Sequence, residues 1–493
     1  MNKIKTGVIP AAGRGMRAYP KTNIMPKPMF EIEGKPILQR NIELMRDKLD
    51  IKNIFIVVNY MGDSIKRYFG NGNRFGVNIT YITNKRMNEG LLGSIYCALE
   101  SVKNPFVCIL GDEVYLDSNH NELKEFIKKR DDFDVICSVK RTDNPDLIKK
   151  NYSVEVNKER ITSITEKPKH IVNDLLGCGT YVFNAKFFDY LKELERKNPE
   201  SKPALMTLIG NMAREKGKVY SFELKGDYIN VNTVEDLNTT NYFIRSKNFE
   251  KYKVNLIIPA LNEEESIAKV IKEFRGCKDI DNITVVDTNS TDKTVEIAKS
   301  LGVEVITKEK LVNGIKTLPG YGDKLKYGMD NSNADILILT EADGTFRSKD
   351  IGKILEYMKD ADMVIGTRTT RQMIEQGSNM GWFLRWGNVF LGKLIEALWW
   401  GQEPRFTDVG CTFRAIWKDS YNKIRSDLHA SGPEFSPEMM IEALKARLRV
   451  IEIPVSYYQR FKGESKHSKG FKKIKTGLKM LNVILGKKFG WKK

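Results

Sequence analysis

The sequence predicts an α/β protein made of two three-layer α/β/α domains in tandem, each around a mainly parallel mixed sheet. Three observations predict it. The 493 residues exceed one ordinary core and suit two domains of about 240 residues. Short apolar runs alternate with helix-period segments, the pattern of strands joined by crossover helices. The alternation also starts twice, each time with an apolar run entering a loop suited to phosphate. The first loop is Ala11-Ala-Gly-Arg-Gly-Met-Arg17, with Lys27-Pro28 beyond it. The second is Pro259-Ala-Leu-Asn-Glu-Glu-Glu265, followed by Val286-Asp-Thr-Asn-Ser-Thr-Asp292.

In the first half, apolar runs at 7–10, 54–59, 79–82, 106–110 and 135–139 read as strands, and 37–49, 94–101 and 121–129 as helices. Segments 152–156, 161–165 and 177–184 read as further strands of antiparallel character. Asn232-Thr-Val-Glu-Asp-Leu opens a helix, with Thr233 as cap and acidic residues in its first turn. Residues 245–253 are charged and poorly periodic. The reading is a first domain over 1–247, a linker at 248–253, a second domain over 254–467 and a basic amphipathic tail at 468–493. Strands of the second half are expected at 254–258, 283–286, 303–306, 336–340 and 363–365.

Composition narrows the class. With 41% hydrophobic and 10% aromatic residues the chain is globular rather than disordered. Six cysteines without a Cys-x-x-Cys pair and only four histidines argue against structural zinc and a disulfide framework, and for a reducing cytoplasmic compartment. Residues 1–5 lead straight into a strand, so no cleavable signal is expected. The net charge is +18, and residues 445–493 carry fifteen Lys and Arg against Glu452 and Glu464. A basic tail with apolar periodicity suits an anionic membrane surface better than nucleic acid, for which no module is legible.

In the first loop, Gly13 and Gly15 let backbone amides approach a triphosphate, while Arg14, Arg17 and Lys27 neutralise its charge. Further along stand Leu110-Gly-Asp112, Glu166-Lys167-Pro168, Gly177-Cys-Gly179-Thr-Tyr-Val-Phe183 and Asn230-Val-Asn232-Thr-Val-Glu-Asp236. Together these motifs, over residues 4–245, resemble the nucleotidyltransferases that activate sugar 1-phosphates. The resemblance implies that Asp112 holds Mg²⁺, that Glu166 and Lys167 bind the sugar phosphate, and that Asn88 to Gly93 line the base and ribose. Many relatives place a second metal-binding carboxylate near position 230; here Asn230 and Asn232 would supply amide oxygens instead. Arg17, Lys27, Asp112 and Lys167 are thus the catalytic candidates, and Gly179 is a substrate-side one.

In the second half, Pro259 to Glu265, including Glu263, and Val286 to Thr294 resemble the nucleotide-binding loops of family 2 glycosyltransferases. By that resemblance Asp287 accepts from the base. Glu341-Ala-Asp343 takes the place of the family's Asp-x-Asp motif, and two carboxylates at a strand end can hold a metal–diphosphate. Mg²⁺ is the expected ion, with Mn²⁺ an alternative here. Gly366-Thr-Arg368, Thr407-Asp408-Val-Gly-Cys-Thr-Phe-Arg414, Glu434-Phe435, Tyr457 to Arg460 and Gly463-Glu-Ser-Lys466 narrow the likeness. They resemble the dolichol-phosphate mannosyltransferases and their polyprenyl-phosphate relatives. The implied fold of both halves is Rossmann-like, of the GT-A type. Arg368, Arg414, Arg460 and Lys466 are candidates for donor diphosphate or acceptor phosphate. Asp343 is a catalytic candidate; Asp408 is either a general base for a hydroxyl acceptor or a structural carboxylate of its loop.

Residues 380–401, with four tryptophans among Arg385, Lys393 and Glu396, read as an interfacial helix or as a core helix. Phe471, Ile474, Leu478, Leu481 and Leu485 recur at helical spacing among Lys469, Lys472, Lys473, Lys475 and Lys479. That pattern fits a helix on an anionic leaflet or a docking helix with a solvated lysine face. The expected activity is transfer of a nucleotidyl group from NTP to a sugar phosphate, releasing pyrophosphate. It is fused to glycosyl transfer from a nucleotide-sugar to a polyprenyl-phosphate or other membrane acceptor, at the inner face of the membrane. Two alternatives stay open for the first domain: a cytidylyltransferase for a phospho-alcohol, and a non-catalytic nucleotide-binding module.

Overall fold

The computed structural model describes residues 4–490, apart from 103–104, 131, 198–202, 216, 308–317, 379, 403 and 462–469. The chain divides into two compact units, Met1–Asn241 and Tyr242–Lys493.

The first unit is built on a nine-stranded sheet. Its spatial order is Asn78–Thr83, Asn53–Val58, Thr6–Ala11, Phe106–Ile109, Leu175–Phe183, Val135–Arg141, Val219–Glu223, Arg160–Glu166, Tyr152–Asn157. The first four strands run parallel. Leu175–Phe183 is antiparallel to both neighbours, so the sheet is more evenly mixed than the alternation of runs implied. Both faces are covered, as the continuous apolar strands require. Val8 and Cys108 pack into one core with Phe183 and Ile209; Ile9 and Val107 pack into the other with Ile42, Met45 and Phe69. Two short strands not legible in sequence, Glu113–Leu116 and Asp227–Asn230, pair antiparallel with Asn230 opposite Glu113.

The second unit has a seven-stranded sheet ordered Glu304–Ile306, Asn282–Val286, Val254–Pro259, Ile336–Leu339, Arg414–Trp417, Met363–Thr367, Val450–Pro454. Arg414–Trp417 is antiparallel to both neighbours, and the other pairings are parallel. Successive residues Leu256, Ile257 and Ile258 alternate between two cores.

The segment read as a linker has regular structure. Helix Val234–Asn248 takes in residues 245–248 and a 3₁₀ turn, Phe249–Lys251, follows. Arg245 explains the missing signal: its charge is buried, bonded to the Ala361 carbonyl and Asp362 and placed over the Trp417 ring, so hydropathy alone misreads it.

Candidate active sites

In the first unit, neighbouring parallel strands Thr6–Ala11 and Phe106–Ile109 deliver the glycine loop and Asp112 to one edge, beyond the strands' carboxyl ends. Gly15 sits at φ +63°, where a side chain would be strained and its Cβ would lie 3.1 Å from Thr22. Gly13 and Arg14 are exposed. Buried Lys27 lies 2.5 Å from an Asp112 carboxylate oxygen and donates to Asn232 Oδ1 at 3.2 Å. Arg17 donates to the same Asn232 oxygen at 2.7 Å. Arg17, Lys27, Asp112 and Asn232 therefore meet.

Asn230 does not join that group. Its amide nitrogen donates to Glu113 Oε1 at 3.2 Å and to Asn151 Oδ1 at 3.3 Å, because the strand register sets it opposite Glu113. Glu113 escaped the sequence reading although it follows Asp112 directly. Burial, and then the Asp112 charge, pushes its carboxyl well above the usual range. Gly179 is a seat for that carboxyl rather than an open substrate contact: a Cβ there would lie 2.5 Å from Glu113 Oε1. Glu166 and Lys167 are exposed at the end of Arg160–Glu166, and the Lys167 amide donates to the Asn151 carbonyl at 2.7 Å. Asn88 is exposed, but Gly93 is buried in helix Gly90–Ser101, where a Cβ would strike the Arg86 carbonyl.

In the second unit, parallel neighbours Val254–Pro259 and Ile336–Leu339 lead into the Pro259–Glu265 loop and the Glu341-Ala-Asp343 motif. Arg460 ties the two together, donating to Glu263 Oε1 at 2.9 Å and lying 3.5 Å from Asp343. Thr412 donates to Glu341 at 2.8 Å, and burial beside Asp343 raises the Glu341 carboxyl.

Three predicted site residues are turned inward. Asp287 is buried and accepts from the amides of Asn289 and Ser290 and from the Ser290 hydroxyl; its carboxylate holds its own turn instead of facing a base. Arg414 is buried, its guanidinium donating to the carbonyls of Cys411, Val409 and Ser436, which leaves it no fork for a diphosphate. Asp408 is fully buried, and Arg368 grips both its oxygens at 2.8 and 3.0 Å. Of the two readings of Asp408, this geometry favours the structural carboxylate over the general base. Lys466 lies outside the described residues.

Glu452 was also unforeseen. It accepts from the amides of Thr407 and Asp408 and from the Thr407 hydroxyl, holding the loop that carries Asp408. Burial raises its carboxyl to about 7. A raised carboxyl means the folded state binds more protons than the unfolded one between the ordinary value and 7, so this group's contribution falls as pH rises across that window. Thermal unfolding measured from pH 4.5 to 7.5 should show a shallower decline in Glu452→Gln than in the parent; equal slopes would exclude Glu452 as its source.

A cavity of about 730 Å³ opens over this second site. Glu341, Asp343, Arg368 and Arg460 form a polar floor, and helices Trp382–Leu398 and Gly470–Phe489 add an apolar wall. Helix Trp382–Leu398 buries Leu391 and Ile395 but leaves Trp382 72% and Phe390 64% exposed, so it is more than an ordinary core helix. Helix Gly470–Phe489 docks through Met480, Val483 and Ile484, and Lys487 bridges Glu438 and Glu442 at 2.9 Å each. Among the described residues no helix is long and apolar enough to cross a membrane.

Oxygen donors suited to a hard cation occur in both units. Asp112 and Asn232 already converge on the Lys27 ammonium, and Glu263 and Asp343 on the Arg460 guanidinium. Among the described residues no group of three or more His, Cys, Asp or Glu is placed to hold a metal ion by itself.

Residues 6–247 match the family described as Nucleotidyl transferase, and residues 255–424 match Glycosyl transferase family 2. A Bifunctional protein GlmU of Methanocaldococcus jannaschii is 30% identical over 267 residues, 53% of this chain and 58% of that protein. The chain thus spans little more than half the length of that relative. An Undecaprenyl-phosphate mannosyltransferase of Micrococcus luteus is 26% identical over 226 residues, 44% of this chain and 88% of that protein. A Low-salt glycan biosynthesis hexosyltransferase Agl6 of Haloferax volcanii is 28% identical over 212 residues, 42% and 48% of the two chains. The chain is an enzyme of two transferase families, a nucleotidyl transferase domain fused to a family 2 glycosyl transferase domain.

Proposed function

We propose that the first domain joins an NTP to a sugar phosphate, and that the second transfers a sugar from a nucleotide-sugar to a polyprenyl-phosphate or similar lipid phosphate. The observation that carries this reading is common to both units. Each brings a phosphate-suited loop and a carboxylate from the adjacent parallel strand to one sheet edge. In the first domain a substrate phosphate oxygen attacks the α-phosphorus, and the bond to the β-phosphate oxygen breaks to release pyrophosphate. An ionised phosphate needs no base, so the work falls to positioning and charge. Arg17 and Lys27 neutralise the triphosphate, and Lys167 and Glu166 take the acceptor side. Asp112 and Asn232 would hold Mg²⁺, whose chemistry is charge neutralisation at bridging phosphate oxygens.

In the second domain the donor diphosphate lies against Arg460. Glu341 and Asp343 would hold a metal whose chemistry is neutralisation of the diphosphate charge. Arg368, its Nε and Nη2 held by Asp408, lends positive charge to the acceptor side of the cavity. The apolar wall supports a lipid acceptor. Gly387 and Gly477 line it at positions where an added Cβ would meet no atom within 4 Å, so neither glycine is required by packing. The exposed Trp382, Phe383, Trp386 and Trp400 support peripheral contact with the inner leaflet.

The test is incubation with Mg²⁺, each of four NTPs and a panel of sugar phosphates, followed by mass spectrometry and then by addition of a polyprenyl phosphate. Nucleotide-sugar followed by glycosyl-lipid is the expected result. Pyrophosphate release with phospho-alcohols alone would overturn the sugar assignment.

A further inference from the structure

We infer that Phe461 is a positioning residue of the glycosyl transfer site: its ring, laid on the backbone of the acidic motif at Gly344, holds Arg460 between Glu263 and Asp343. The inference rests on the proposed reading that the donor diphosphate lies against Arg460. An arginine side chain has several rotatable bonds, so the place of its fork depends on how firmly its own backbone is set. The far end of Arg460 donates to Glu263 Oε1 at 2.9 Å and lies 3.5 Å from Asp343. Among the described residues its buried Nε finds no acceptor, so nothing pins the side chain along its stem. The near end must therefore be set by segment 457–461. On one flank the Tyr457 amide donates to the Met373 carbonyl at 2.9 Å, and the Glu375 amide to the Tyr457 carbonyl at 2.8 Å. On the other, the Tyr458 amide donates to the Thr345 carbonyl at 2.9 Å and the Phe461 amide to the Asp343 carbonyl at 3.0 Å.

The Phe461 ring reinforces that last bond. Gly344 follows Asp343 at φ +79°, in the left-handed region that favours glycine, and a Cβ there would collide with the ring. The motif thus presents bare backbone, and the ring lies on it. The Arg347 guanidinium stands over the same ring, 4.1 Å from its centroid, and Lys269 Nζ stands 5.3 Å from it. Arg347 also lies over the Tyr458 ring at 4.9 Å, so one cation grips the segment on both sides of Arg460. Gly344 and Arg347 share the loop that carries Asp343. The arginine is therefore tied to the motif itself, and carboxylate and guanidinium keep their spacing as a unit.

The test uses the full chain, titrated by calorimetry with ADP, CDP, GDP and UDP, each with Mn²⁺. The binding that Arg460→Ala weakens belongs to the second unit, whatever the first unit binds. Phe461→Leu keeps apolar volume without a flat face; it should weaken that binding by roughly tenfold to a hundredfold, with little change in melting temperature. Phe461→Tyr keeps the ring and should stay within about threefold of the parent. Because Phe461 acts through Arg460, R460A and the double variant R460A/F461L should bind alike. An F461L protein that binds as the parent does, or the same further loss when F461L is added to R460A, overturns the inference. In protein labelled with ¹⁵N-arginine, the Nε–H signal missing from R460A identifies Arg460. Phe461→Leu should shift that signal and speed its exchange with water, and Phe461→Tyr should leave it in place. If R460A binds every probe as the parent does, the donor assignment fails, and the Nε–H signal decides the role of Phe461: moved in F461L it upholds the inference, unmoved it overturns it.

Discussion

Asp112→Asn should lower pyrophosphate release by about a thousandfold or more, while glycosyl transfer from an externally supplied nucleotide-sugar stays at the parental level. The change keeps size and one acceptor oxygen but removes the carboxylate charge 2.5 Å from Lys27. Lys27 is buried and retains Asn232 as an acceptor, so the fold should survive with a modest drop in melting temperature. The loss should fall on kcat, because the charge being neutralised develops as the phosphate bonds exchange. Equal loss of both activities would point to misfolding. Retention of nucleotidyl transfer would remove Asp112 from the site and revive the reading of a non-catalytic module.

Asp408→Ala should abolish glycosyl transfer and destabilise the second unit by about 3–5 kcal/mol, the usual result of stripping one partner from a buried ion pair. Arg368 would keep its charge in a buried position with neither oxygen of its fork partner, and the amides of Arg368 and Gly410 would lose their acceptor. Arg368 lines the cavity, so its displacement reaches the substrate side. Denaturant unfolding of the parent and the variant measures the first effect and a radiolabelled-donor assay the second. Asp408→Asn separates the two roles offered for this carboxylate. A structural role predicts partial activity with an unchanged pH profile, whereas a general base predicts activity lost at every pH.

The sequence made strands, helices and signature loops legible because each rests on local physics. Apolar runs such as 254–258 and 336–340 must be buried strands between helices, and glycine-rich turns at strand ends mark where phosphate can approach. What it left obscure was decided by register and burial. Nothing in Asn230-Val-Asn232 tells that one side chain turns to Lys27 and the other to Glu113; that follows from Asn230 lying opposite Glu113 in a strand pair too short to show periodicity. Arg414 and Asp287 carry the residue types of ligands, yet their backbone surroundings already use their hydrogen-bonding capacity. Arg245 shows the reverse case, a charged residue in a seeming linker that is packed on Trp417.

Lys487, held between Glu438 and Glu442, changes what the end of this chain is for. Its charge is already answered inside the protein and adds nothing to the attraction of an anionic surface. The helix that bears it shelters two buried carboxylates and closes one side of the cavity. Without that helix the cavity over Glu341 and Asp343 would lose one of its walls.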